Sequence, residues 1–162
     1  MPAALPRMKA IRCSTAAAFL WGLGMATTAA AGLYLRGRFN TFHLPAMLTI
    51  FFLGGIFGWW LTELVGQWLR HFIRQPRLLV AIAFIGLASA TVFCTAALFA
   101  LEYRSFYAQW HAETLSRIWF LQLIFTSASA FYQFAVMATR LYLPLGPPLL
   151  VAGTWIMLRR IR

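Results

Sequence analysis

With 162 residues, 62% of them hydrophobic and 10% charged, this chain has too little polar surface to clothe a water-soluble domain. Its net charge of +11 comes from 14 Lys and Arg against 3 acidic residues. The basic residues gather at the ends of apolar segments, where they set orientation and meet anionic headgroups, so the charge calls for a lipid bilayer and for no nucleic-acid partner. The composition predicts an all-α integral membrane protein, a single helical domain over residues 1–162, multi-pass in the inner (plasma) membrane.

A bilayer crossing needs roughly 20 mostly apolar residues, and the first such stretch is Ser14–Leu35. Arg7, Lys9 and Arg12 precede it, and Ala29, Ala30 and Ala31 resemble a signal-peptidase site, but the apolar run continues to Leu35, which predicts a retained span. Small residues recur at intervals of four, at Ala18, Gly22, Ala26 and Ala30. The second span, Leu44–Gly66, opens with Pro45 in its first turn and carries Gly54, Gly58, Thr62 and Gly66 in the same register. The third, Leu78–Leu101, carries Gly86, Ala90 and Cys94. In a bilayer, helices associate through close backbone approach, so these residues are expected to face inward and the phenylalanines, Phe51 included, to face lipid. Cys13 and Cys94 show no metal or redox spacing and read as packing residues.

The fourth span covers Ile118–Thr139, and the tail Leu141–Leu158 is apolar but interrupted by Pro144, Pro147 and Pro148. The tail is therefore re-entrant, interfacial or a fifth span. With the amino terminus cytoplasmic, four spans put Arg7, Lys9, Arg12, Arg70, Arg74, Arg77 and Arg140 inside, against Arg36, Arg38, Arg104 and Arg117 outside, seven against four. A crossing tail adds Arg159, Arg160 and Arg162 to the outside and evens the count; a returning tail makes it ten against four. The positive-inside rule favours the returning tail, and a helix that starts only at Pro147 is short for a crossing.

Candidate chemistry falls in three places. Glu63 is the acidic residue within a span, and Gln67 and His71 follow it at four-residue intervals, with Arg70 and Arg74 alongside. Intramembrane carboxylates are costly and point to function or to an ion pair. On the fourth span Gln122, Thr126, Ser129 and Gln133 share one helical face that Arg140 continues, either as interhelical glue or as the wall of a polar path or headgroup site. The expectation is one polar intramembrane site that joins Glu63 to this face. His43 and His111 fall in different loops, a weak basis for metal or for a haem with two axial histidines.

There is no Gly-rich phosphate loop, GxSxG elbow, HExxH or carboxylate pair. The chain thus reads as a non-enzymatic transporter- or flippase-like module, or an accessory subunit with a membrane-protein partner or a second copy. The competing expectation is a redox subunit holding haem or quinone at His43 and His111, and in the preferred reading no cofactor is expected.

Overall fold

A computed structural model describes the backbone of residues 4–73 and 75–161 and the side chains of 14–73 and 75–160. The side chains of Arg7, Lys9, Arg12, Cys13, Arg74 and Arg162 thus lie outside the described residues. The chain forms five α-helices: α1 (Ala4–Leu35), α2 (Leu44–Leu69), α3 (Pro76–Tyr107), α4 (Arg117–Gln133) and α5 (Gly146–Ile161). No strand occurs among the described residues. Among the described residues, four segments are long and apolar enough to cross a membrane: Ser14–Leu35, Leu44–Leu69, Pro76–Trp110 and Arg117–Tyr142.

Local sequence explains the helix ends. Pro45 and Pro76 sit in the first turns of α2 and α3, where no N–H is needed for the helix. Ser116 caps α4 by accepting a hydrogen bond from the Trp119 amide at 3.1 Å. α1 ends at a glycine turn: Gly37 has φ +64°, its amide donates to the Tyr34 carbonyl, and the Arg38 amide donates to the Leu33 carbonyl at 2.9 Å. That pattern is a Schellman cap, whose left-handed residue is most easily glycine.

The seam between α2 and α3 is a close backbone approach. Gly54 lies against Thr95, and a Cβ placed on Gly58 would stand 2.5 Å from the Thr91 Cα. Gly54, Gly58, Thr62 and Gly66 are all buried, as their spacing predicts. On α3 the buried face is Ala83, Leu87, Thr91 and Thr95, whereas Gly86, Ala90 and Cys94 are only half-buried. On α1 Ala18 and Gly22 are buried while Ala26 and Ala30 are half-buried. Phe51 does not face lipid: it is 1% exposed and packs 4.9 Å from the Tyr142 ring, because α2 turns its bulky Phe51 and Trp59 inward together with its glycines.

Two apolar clusters form the core. One gathers Ala18, Trp21, Met25, Trp59, Ala83, Leu87 and Met157; the other gathers Ala29, Leu33, Phe51, Ala96, Phe134, Ala138 and Leu141. Threonines stitch the level between them. The Trp21 indole donates to Thr91 Oγ1 at 3.0 Å, the Tyr142 hydroxyl donates to Thr95 Oγ1 at 2.8 Å, and the Thr95 hydroxyl donates to the Thr91 carbonyl at 2.7 Å. The Trp21 indole and the Tyr142 and Thr95 hydroxyls are tolerated here because each of them finds a partner.

The end of the chain departs most from expectation. After α4 the helix widens into a π turn over Phe134–Ala138, tightens into a 3₁₀ turn over Thr139–Tyr142, and resumes as α5. From there it runs antiparallel to α1: Leu141 lies against Gly32, Leu145 against Thr28, Leu149 against Gly24 and Gly153 against Trp21. Arg160 then meets Glu63, which also bonds Ser14 of α1. Because Pro147 and Pro148 occupy the first turn of α5, they start the helix instead of interrupting it. The 18 residues from Ser14 to Gly32 rise about 27 Å, so the limb from Leu141 to Arg160 matches the apolar thickness of α1 instead of turning back.

One consequence corrects the expected arrangement of charge. Arg140 lies beside Arg36, which donates to the Arg140 carbonyl at 3.2 Å, and therefore at the end opposite Arg70. α4 packs against α3 and leaves most of its surface exposed; Arg104 of α3 stacks on Trp119 near one end of α4, and Tyr103 receives Gln133 at the other.

Candidate functional site

The site grows out of the break between α4 and α5. A change from α to π to 3₁₀ geometry leaves backbone groups without regular helical partners, and α1 supplies substitutes. The Thr28 hydroxyl lies 3.3 Å from both the Leu141 and Tyr142 carbonyls and accepts from the Leu145 amide at 3.1 Å. Arg36 takes the Arg140 carbonyl. Broken helices are admissible at membrane depth where protein or a cavity satisfies them, and both conditions hold here.

Beside the break lies a cavity of about 810 Å³. Leu33, Met47, Phe99, Val136, Met137, Ala138 and Leu141 make its apolar wall, and Arg36, Arg38, Arg140 and Gln133 bring the polar groups. The glycine cap of α1 sets this up, because the turn at Gly37 places Arg36 and Arg38 on its two sides and both line the cavity. No acidic residue lines it, and among the described residues these three arginines form no ion pair. A planar guanidinium offers a donor fork that matches phosphate and carboxylate, so the cavity joins an anion-binding rim to an apolar wall. On another side of the same break, Trp21, Phe84, Val92, Thr139, Tyr142 and Pro147 are among the residues lining an apolar groove of about 480 Å³.

The expected joint site is divided. Glu63 accepts a hydrogen bond from the Ser14 hydroxyl and stands 3.9 Å from Arg160, the two charged side chains being 13% and 17% exposed. Gln67 is exposed, and its carbonyl meets His71 Nδ1 at 3.0 Å. From Ser14 to Leu33, along α1, is a rise of about 28 Å, which separates this carboxylate from the cavity. Within the α4 stripe, Gln122 Oε1 accepts the Ala112 amide at 2.9 Å, Thr126 bonds the Gln122 carbonyl at 2.5 Å, and Ser129 is exposed. Gln133 donates to the Tyr103 hydroxyl at 3.4 Å and, with Arg140, reaches the cavity. The stripe is thus split among a loop brace, a local helical bond and the site.

His43 is exposed and its ring lies edge-on to Phe42, while His111 follows a short 3₁₀ turn after α3. Two buried ring nitrogens, Trp59 Nε1 and His111 Nε2, have no hydrogen-bond partner among the described residues. Among the described residues no group of three His, Cys, Asp or Glu side chains gathers to hold a metal ion.

No protein-family profile, curated protein or solved structure matches the chain. The site therefore stands on its own geometry. In the sequence Arg140 continues a polar face, whereas Arg36 and Arg38 read as anchors at a span end. The signal that marks them is Arg36-Gly37-Arg38 directly after an apolar helix, a cap that fixes the backbone from which two arginines extend.

Proposed function

We propose that this protein is a non-enzymatic, transporter- or flippase-like module of the inner membrane, with its amino terminus cytoplasmic, and that it handles an amphiphile along the broken helix. The observation that carries the reading is the break at Phe134–Tyr142, which borders both the arginine-rimmed cavity and the apolar groove. Discontinuous helices in transporters mark the places where ligand meets freed backbone and where parts move against each other. The break is bonded to α1 by side chains, and such contacts are exchangeable in a way a continuous helix is not.

The test is transbilayer movement of fluorescent phosphatidylcholine and phosphatidylglycerol in vesicles holding the full chain. Gly32→Cys and Leu141→Cys, introduced with Cys13→Ala and Cys94→Ala, join positions where a Cβ on Gly32 would stand 3.2 Å from the Leu141 Cα. Oxidation should stop movement of at least one lipid, and reduction should restore it. Equal movement in both states would overturn a moving break. No movement of either lipid in the unmodified protein would transfer the assignment to an accessory subunit, whose partner or second copy would then be sought by cross-linking.

A further inference from the structure

We infer that the ligand of the cavity is a lipid with a phosphate-bearing anionic headgroup, its phosphate held by Arg36, Arg38 and Arg140 and its chains starting along Met47, Phe99, Val136 and Met137. The inference deepens the amphiphile-handling reading and rests on it for its biological use, while the binding itself stands on the cavity alone.

Charge gives the first argument. Three guanidinium groups line one cavity with no carboxylate among the lining residues. The described ion pair, Glu63 with Arg160, is at the far end of the bundle, and Glu102 borders a different hollow with Pro45, Ala46 and Ser105. Arg36, Arg38 and Arg140 are exposed, and cations that share one cavity lining without a counter-ion favour an anion there. A phosphate monoester can carry up to two negative charges and three or more acceptor oxygens, and so answers three arginines better than a single carboxylate does.

Shape gives the second. The guanidinium of Arg36 is anchored on the Arg140 carbonyl, and the Schellman turn fixes the backbone of Arg38 on the other side of Gly37, so the fold itself meets part of the ordering cost of the rim. The wall gives the third. A free phosphate ion would leave Met47, Phe99, Val136 and Met137 facing water in a cavity of about 810 Å³, whereas an acyl chain would cover them. The depth agrees, because the rim stands where the apolar run of α1 ends at Leu35, the level at which headgroups begin. A choline headgroup brings a cation to a cationic rim, so zwitterionic phosphatidylcholine should be discriminated against.

The experiment is equilibrium binding of dioleoyl phosphatidate to the full chain in phosphatidylcholine nanodiscs, with native mass spectrometry to count bound lipid. Phosphatidate should bind at least about tenfold more tightly than phosphatidylcholine, and Arg38→Gln should weaken it about tenfold. Arg38 makes no side-chain hydrogen bond or ion pair among the described residues, so this variant keeps the fold even if Arg36→Gln does not. Arg159→Gln, at the other end, should leave binding unchanged. Equal binding of the two lipids, or no effect of Arg38→Gln, overturns the inference. Displacement of phosphatidate by an equal concentration of inorganic phosphate assigns the rim to a soluble phosphate and overturns the lipid. Phosphatidate binding without transbilayer movement retires the transporter reading and upholds the lipid site; movement untouched by the arginine variants does the reverse.

Discussion

At the scale of single residues, two glycines that look alike in the sequence do opposite things. Gly58 touches the backbone of α3, and an added Cβ would stand 2.5 Å from the Thr91 Cα and 2.7 Å from its nitrogen. Backbone cannot rotate away, so Gly58→Ala should force α2 and α3 apart and cost about 1 to 3 kcal/mol. At Gly86 the same methyl would meet the Thr62 Cγ2 at 3.4 Å, an ordinary contact. Gly86→Ala should therefore stay within about 0.5 kcal/mol of the parent or raise stability through helix propensity. Thermal unfolding in detergent checks both, and equal midpoints for the two variants would refute the seam. The difference was half legible. α2 has one run of small residues, and spacing alone finds its face; α3 has small and hydroxyl residues on two adjacent faces, Gly86-Ala90-Cys94 and Ala83-Thr91-Thr95, and spacing cannot choose between them. What chooses is the partner surface, since Thr91 and Thr95 receive the Trp21 indole and the Tyr142 hydroxyl.

At the scale of elements, the limb from Arg117 to Ile161 teaches most. Its apolar residues announce helix, yet no glycine or proline lies between Arg117 and Leu143 to announce the π and 3₁₀ turns. Tertiary packing sets them: the widened turn brings Phe134, Ala138 and Leu141 into one apolar cluster with Ala29, Leu33 and Phe51. The prolines mislead for the converse reason, since at a helix start proline is neutral or favourable. Thr28 is the residue on which the break depends. Thr28→Val keeps shape but leaves the Leu145 amide and two carbonyls without their hydroxyl partner, at a cost of about 1 to 3 kcal/mol. Thr28→Ser gives up one methyl and keeps the hydroxyl, so it should retain most of the stability, with a loss nearer 1 kcal/mol. Hydrogen exchange at residues 141–146 should quicken in the valine variant and not in the serine one. If both variants lose the same, the hydroxyl does not hold the break.

For the molecule as a whole, the two ends differ in what their charges do. Arg7, Lys9 and Arg12 in the first turns of α1, with Arg70, Arg77, Arg159 and Arg160, mark one end; Arg36, Arg38, Arg104, Arg117 and Arg140 mark the other, seven against five among the described residues. At the first end charges are paired among the described residues. Glu63 gathers Ser14 and Arg160 from α1 and α5, and Arg159 stacks 3.6 Å over Trp155, an arrangement that ties down helix ends. The second end is open, with three of its five arginines around a cavity. Four apolar helices and the bundle class were readable from composition and segment length, because those depend on the bilayer and not on detail. The pairing of Arg140 with Arg36 was not, because it needs Arg117 and Arg140 at one end of the bundle, whereas the apolar run Ile118–Thr139 reads as a crossing that parts them, whichever way the tail runs.

The direction of α5 is open to a topological test. From Arg140 to Arg159 is 19 residues, a rise of about 28 Å if helical throughout, close to the roughly 30 Å of a hydrocarbon core. The contacts of Leu145, Leu149 and Gly153 with successive turns of α1 show that this rise is along the bundle axis and not across its surface. In a background of Cys13→Ala and Cys94→Ala, Arg140→Cys and Arg159→Cys should therefore be labelled by an impermeant maleimide from opposite sides of the membrane. With the seven-residue end cytoplasmic, as the positive-inside rule prefers, intact cells should label position 140, and position 159 should react only after permeabilisation. The reverse pattern would invert the whole molecule but keep the crossing. Labelling of both positions from one side would show that α5 lies on the surface and that the antiparallel register with α1 is wrong, and the cavity would then lose the wall that Leu141 and Ala138 supply.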